Sequence, residues 1–191
     1  LSRLRRPIAV LAMLLAGGGL SACGNHPDKD AQIQRIEGEG FYLSLGELKY
    51  QVQLSRQLNP DDVQDKPLLI GVPAGERQLE PDEVWFGVFM QVENEAKQAL
   101  EPSGEIEIID TQEEVFAPLD LDDTNPFVYR ASEAIPAGEK RPLRDTPAFD
   151  TAIQGSMLLF KLKRTALDNR PLELKIESST NAQTGIIDLD V

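Results

Sequence analysis

The side chains best spaced to hold a ligand lie in one short stretch, Asp120, Asp122, Asp123 and Asn125. They supply hard oxygen donors of the kind that calcium gathers in sets of six to eight, so calcium is the only cofactor the chain points to. The stretch lacks the glycine and terminal glutamate of an EF-hand, and a solvated acidic loop is its default reading. A second acidic group, Asp61, Asp62 and Asp65, is sparser. Directly after the first come Phe127, Tyr129 and Arg130, residue types that anchor partners when they cluster and otherwise close the end of a fold. Trp85 and Phe89 are the remaining candidates. Strand alternation sets them, with Gly87 and Gln91, opposite Phe86, Val88, Met90 and Val92. They are therefore either an exposed partner surface or are covered by the residues around Leu68, Leu69 and Ile70, which is the favoured reading.

The only histidine is His26 and the only cysteine is Cys23. With both so near the N-terminus, a folded domain further along has neither imidazole nor thiol. A Ser-His-Asp triad and zinc centres of histidine and cysteine are thereby excluded. No Gly-x-Ser-x-Gly elbow, phosphate loop or dinucleotide fingerprint occurs. Carboxylates about 5–9 Å apart can cleave a glycosidic bond by acid–base catalysis, yet 32 acidic residues form such pairs by chance and nothing marks one of them out. The expectation is a protein that is not an enzyme.

Cys23 has chemistry of its own. It closes the run Leu20-Ser21-Ala22-Cys23 after an apolar stretch, residues 8–19, that follows Arg3, Arg5 and Arg6. This is a basic n-region, a short h-region and small residues at a cleavage point. The run resembles the bacterial lipobox, in which the thiol receives diacylglycerol and the peptide bond before it is cut. The resemblance implies that residues 1–22 are a signal peptide and that Cys23 begins the mature chain. Its acyl chains, worth about 0.8 kcal/mol per buried methylene, would hold the protein to the membrane. About a dozen apolar residues are too few to span a ~30 Å hydrocarbon core, which takes about 20. The expected location is thus the extracytoplasmic face of the cell membrane, by lipid anchor. A cysteine inside a packed apolar helix is the competing reading; Gly17, Gly18 and Gly19 oppose it, each about 1 kcal/mol worse than alanine in a helix interior.

The charge is −13, and since residues 1–22 hold three arginines and no acids, the mature chain would carry 16 basic against 32 acidic residues, net −16. Such a chain lacks the basic footprint of nucleic-acid binding and is held off anionic surfaces. With Cys23 committed to lipid, the fold cannot lean on disulfides although export would permit them. It must stand on one hydrophobic core, which a single domain of this length can build.

The elements that would position these residues are strands. Residues 24–40 are polar and contain Pro27, so residues 23–40 read as a lipidated cysteine and flexible tether with a reach of about 20–25 Å; a folding contact through Ile33 and Ile36 is the alternative. From residue 41 the apolar period is two. Leu43 and Leu45 follow Phe41, and Tyr50, Val52 and Leu54 form one face of the next strand. The strongest strand is 84–93. Others are 105–109, 115–119, 156–163 with Leu158, Phe160 and Leu162 inward, 172–177 with Leu172, Leu174 and Ile176 inward, and 185–191. Only 164–168 looks helical. Short strands between proline and glycine turns describe an antiparallel, all-β sandwich over residues 41–191. Residues 59–82 form an unusually long connection, read as a flap folded back onto the sandwich.

The order of elements resembles the telokin-like, immunoglobulin-related domain of uncharacterised bacterial secreted and lipid-anchored proteins termed DUF4352. The resemblance rests on Leu45-Gly46-Glu47-Leu48-Lys49-Tyr50, on the strand ending Val92-Glu93-Asn94, and on Ile109-Asp110-Thr111-Gln112 before Val115-Phe116. It rests also on Ile135-Pro136-Ala137-Gly138-Glu139 and the strand from Met157 to Leu162. Together these span residues 41–178. It implies an immunoglobulin-like sandwich without the inter-sheet disulfide, displayed as a binding, adhesion or accessory module, with no catalytic residues to carry over. The segment after Asp110 departs from the pattern by lacking a hairpin glycine, and 59–82 by its length. The expected function is a lipid-anchored, non-enzymatic module engaging protein or envelope polymer. The alternatives are a calcium-stabilised adhesion domain or a carboxylate-based envelope hydrolase.

Overall fold

The computed structural model describes residues 32–190. In chain order the strands are β1 (Ile33–Ile36), β2 (Leu43–Leu45), β3 (Leu48–Leu58), β4 (Glu83–Asn94), β5 (Ile106–Ile109), β6 (Val115–Phe116), β7 (Lys140–Arg141), β8 (Ser156–Lys163), β9 (Leu172–Glu177) and β10 (Thr184–Leu189). They form two five-stranded sheets. One runs β1-β10-β9-β5-β6; the other runs β2-β3-β4-β7, with β8 also paired to β4. All pairings are antiparallel except β1 with β10. This is the expected all-β, immunoglobulin-like sandwich. Among the described residues no helix is long and apolar enough to cross a membrane.

Alternation builds the main core. Tyr50 and Val52 of β3, Phe86, Val88, Met90 and Val92 of β4, and Phe160 and Leu162 of β8 meet Ile106, Ile108, Leu172, Leu174, Ile176 and Ile187 from the facing sheet. Burying one such side chain contributes about 1.5–3 kcal/mol. At the β2–β3 hairpin Gly46 takes φ +64°, and a Cβ there would meet Thr180 and Asn181. A two-residue turn with positive φ matches the twist of its strands, which selects glycine.

Several expectations are corrected. The tether assigned to residues 23–40 is too long: β1 lies within it, hydrogen-bonded parallel to β10, and Ile36 packs against the core. Arg35 bridges Glu173 at 2.6 Å and Asp188 at 2.7 Å. The ordered domain thus begins before residue 41. Edge pairing fixes this polar segment, since main-chain hydrogen bonds do not depend on side-chain hydropathy. Leu54 does not share the face of Tyr50 and Val52. The β3–β4 register shifts between Val52 and Leu54, so that Val52 pairs Met90 but Leu54 pairs Phe89. The extra residue reverses alternation, as a β-bulge does, and sends Ser55 inward and Leu58 outward. The strand expected over 115–119 is only two residues long, ahead of Pro118.

The hairpin without glycine closes by another device. Glu113 takes φ +64°, and Asp110 accepts the amides of Gln112 at 2.8 Å and Glu114 at 2.9 Å and the Asn169 side chain at 2.7 Å. The carboxylate does locally what glycine does by conformational freedom.

Residues 59–82 form the expected flap, containing 3-10 turns at Lys66–Leu69 and Ala74–Glu76. Arg56 pairs with buried Asp65 at 2.5 Å, which also accepts the Asn59 amide at 2.8 Å. Buried Asn125 donates to the carbonyls of Leu68 at 2.9 Å and Ile70 at 2.8 Å. These ties order a loop whose length alone favours mobility.

Candidate functional site

Trp85 and Phe89 are not a partner surface. Each is 3% exposed, in a second apolar cluster with Leu58, Leu68, Val72, Leu121, Met157 and Leu159. The flap supplies Leu68 and Val72 to cover the outer face of the β3-β4-β8 sheet. Lys161, directly opposite Trp85 on β8, sets its ammonium 5.4 Å from the indole centroid, close enough for a cation–π contact.

The acidic loop is not a gathered metal centre. Asp122 accepts the Thr124 amide at 2.9 Å, and this hydrogen bond holds its carboxyl below the ordinary range. Asp123 pairs with Arg130. Among the described residues no three acidic, histidine or cysteine side chains converge to hold a metal ion; Asp122 serves a turn and Asp123 an ion pair, and Asp120 is exposed. Cys23 lies outside the described residues.

Phe127, Tyr129 and Arg130 are stitched to the start of β8. The Met157 amide donates to the Phe127 carbonyl at 2.6 Å and the Tyr129 amide to the Met157 carbonyl at 2.9 Å. Alternation then divides them. Phe127 packs on the second cluster and Tyr129 on the main core, which is the closing role. The Tyr129 hydroxyl donates to the Ser103 carbonyl at 2.8 Å, and burial raises it well above the usual tyrosine value. Arg130 points the other way, to Asp123 and, at 3.4 Å, to Glu133.

Tyr129 and Arg130 line one wall of a cleft of about 110 Å³. It opens where the outer edge of β4 passes from one partner to another. β8 pairs with residues 83–90 and β7 with Val92 and Glu93; between them Gln91 ties across to the Gln154 carbonyl at 2.7 Å. The excursion between β7 and β8, with Pro142, Leu143 and the short helix α1 (Pro147–Asp150), forms the opposite wall. Arg141 is the residue that sequence reasoning missed here. Its Cα register with Val92 turns its side chain toward the inter-sheet side, because directly opposed residues share a face. Nε and Nη1 are buried without a hydrogen-bond partner among the described residues, and Nη2 reaches only the Ala134 carbonyl at 3.4 Å. A two-residue strand carries no periodicity, so nothing in the sequence distinguished Arg141 from a solvated surface arginine.

Asn94, also missed, sets this edge. Fully buried, it donates to the carbonyls of Ile135 at 2.7 Å and Gln98 at 2.8 Å and accepts the Ala96 amide at 2.9 Å. Its own main chain bonds Glu139 and Gly138 at 2.9 Å each, which feeds the chain from the Gly138 turn into β7.

Frame and cleft together define an immunoglobulin-like β-sandwich with a cleft at the interruption of one sheet edge. No family model matches the sequence, and no curated protein matches it. Among solved structures, the chain is similar to the yjhA protein from Bacillus subtilis, with 9% identity and a TM-score of 0.49 over 81% of this chain and 100% of that one. It is similar also to an uncharacterized beta-sandwich protein from Clostridium difficile 630, with 12% identity and a TM-score of 0.47 over 86% and 100%. A conserved hypothetical protein from Bacillus anthracis gives 9% identity and a TM-score of 0.43 over 71% and 86%.

Proposed function

We propose that this protein is a lipid-anchored binding or accessory module on the extracytoplasmic face of the cell membrane, acting without catalysis on a protein or envelope polymer. The observation that carries the binding role is the cleft beside Tyr129 and Arg130, whose lining combines apolar residues with the side chains of Arg130 and Arg141. Such a mixture of apolar surface and a few polar groups is what ligand sites present. The lipobox-like run ending at Cys23 supports the anchor, and β1 begins ten residues after that position. At about 3.3–3.6 Å per extended residue, the sandwich stays close to the bilayer.

The anchor is tested by mass spectrometry of the mature protein. A diacylglyceryl Cys23 at the N-terminus supports it, and an uncleaved chain with a bare thiol overturns it. Binding is tested in intact cells with a photo-crosslinking residue at Arg130 and, as control, at Lys97. One stoichiometric adduct from the cleft position alone supports the module, and identical or empty patterns overturn it.

A further inference from the structure

Resting on the binding-module reading, and choosing protein over envelope polymer, we propose that the outer edge of β5 is a strand-addition site: an extended partner segment with an apolar residue between two basic ones pairs with residues 104–106. Main-chain geometry carries the first part. The Glu177 amide donates to the Glu105 carbonyl at 2.9 Å, so odd-numbered residues of β5 bond to β9 and even-numbered ones turn their N–H and C=O groups outward. On that side Ile108 meets Phe116 of β6, and the same register would set Pro118 opposite Ile106. Proline has no N–H to give, and the chain leaves here: the Leu119 amide donates to the Leu159 carbonyl of β8 at 2.7 Å. Among the described residues, the outward groups of exposed Gly104 and of Ile106 have no main-chain partner. An edge left open in this way is a template for another strand.

Clefts open on both sides of this edge, and Gly104, Ile106 and Pro118 line the two alike. The inner one is a window between the crossing at residues 116–119 and the return at residues 128–131, about 330 Å³ in volume, with the core residues Ile106 and Leu158 in its lining. It exceeds the ~150 Å³ apolar cavity that accepts benzene, so an aliphatic side chain enters. The outer one lies over Glu105, Glu107, Lys175 and Glu177. Successive side chains of a strand point to opposite faces, so an apolar residue entering the window sends both its neighbours over these carboxylates. Charge then selects the neighbours. Five carboxylates and two cations line the two clefts. Lys175 is held by Glu107 and Glu177, and Arg130 by Asp123 and Glu133; exposed Glu105 and Asp120 have no ion pair among the described residues. Lysine or arginine complements that surplus, and a second copy of a chain with net charge −13 does not.

The test titrates the full chain in detergent with the capped peptide acetyl-Lys-Val-Lys-Val-Lys-amide at constant ionic strength, reading the amide resonances of Gly104 and Ile106 and their hydrogen exchange. Saturable displacement of both, with exchange at Ile106 slowed at least tenfold, supports the site. Binding should weaken about tenfold in Glu105→Lys and be lost in Ser132→Trp, which blocks the window from an exposed position in its lining. Glu37→Lys, just past β1 at the opposite edge of the sheet, should bind as the parent does. Directly opposed residues share a face and exchange main-chain bonds here, so N-methylation of both valines should abolish binding. Equal binding by the N-methylated peptide or by its counterpart with glutamate for lysine overturns the site, as does displacement that survives in Ser132→Trp. Protection of the two amides that rises with protein concentration alone assigns the edge to a second copy and overturns the basic partner. A silent titration alongside a specific crosslink at Arg130 removes the strand site and leaves the module standing. The converse pattern removes the module and leaves the strand site.

Discussion

Tyr50 and Tyr129 hold Ser103 from opposite sides: the Tyr50 hydroxyl accepts the Ser103 amide at 2.9 Å, and the Tyr129 hydroxyl donates to the Ser103 carbonyl at 2.8 Å. One phenol comes from β3 and the other from the segment stitched to β8, so the loop entering β5 is fixed by both. Burial pushes Tyr50 up to about 12 and raises Tyr129 well above the ordinary tyrosine value. Neither should contribute phenolate absorbance near pH 10, the ordinary tyrosine value. Tyr50→Phe and Tyr129→Phe should each cost about 1–3 kcal/mol in chemical denaturation, by leaving a buried main-chain group unpaired. The double variant should depart from additivity because the two act on one residue.

Asp110 gives an acid-linked prediction. Burial by itself would raise its carboxyl, but the hydrogen bonds from Asn169, Glu114 and Gln112 outweigh that and hold it below the usual carboxylate value. A depressed acid stabilises the fold above its unfolded pKa, and the contribution is lost as pH falls through the lower folded value. Asp110→Ala should therefore cost about 1–3 kcal/mol at pH 7. Urea melts repeated below the ordinary carboxylate range should show that difference shrinking.

Glu39 has the opposite sign. It meets Asp190 through reciprocal contacts, each amide donating to the other residue's carboxylate at 3.3 Å. Burial, first, and the nearby Asp190 charge raise it, against the lowering effect of the hydrogen bond from the Asp190 amide. A raised acid stabilises most fully below its unfolded pKa and loses that contribution as pH rises through the folded value. Glu39→Gln, which keeps an acceptor and removes the charge, should raise Tm at pH 7 and leave it unchanged near pH 4. Thermal melts at the two values decide it.

Trp85 is the only tryptophan and reports the flap directly. Its emission should be blue-shifted and resist acrylamide. Asn125→Ala removes the donors to Leu68 and Ile70 and should cost about 1–3 kcal/mol. The same variant should make Trp85 more quenchable well before global unfolding, as loosening of a local unit predicts. Unchanged quenching would mean that the flap is held elsewhere.

Much of the fold was legible because it is written locally. Phe86, Val88, Met90 and Val92 repeat every second residue, and period two in the chain becomes one buried face in space. The core positions of β8 and β9 follow in the same way. In the acidic loop, proximity in sequence does not make carboxylates converge: Asp122 turns back onto its own backbone while Asp123 reaches Arg130.

By itself, the amino-acid sequence determined a period-two, all-β pattern, an N-terminal run that resembles a lipobox, and the lack of histidine and cysteine between residues 32 and 190. Those properties reside in residue identity and short-range order. Tertiary structure alone decided that Ile33–Ile36 would become an edge strand, that the bulge in β3 would exchange the faces of Leu54 and Ser55, and that Arg141 would face inward beside Val92. Each depends on which distant strand supplies the partner and in what register, and a shift of one residue sends a side chain to the opposite face.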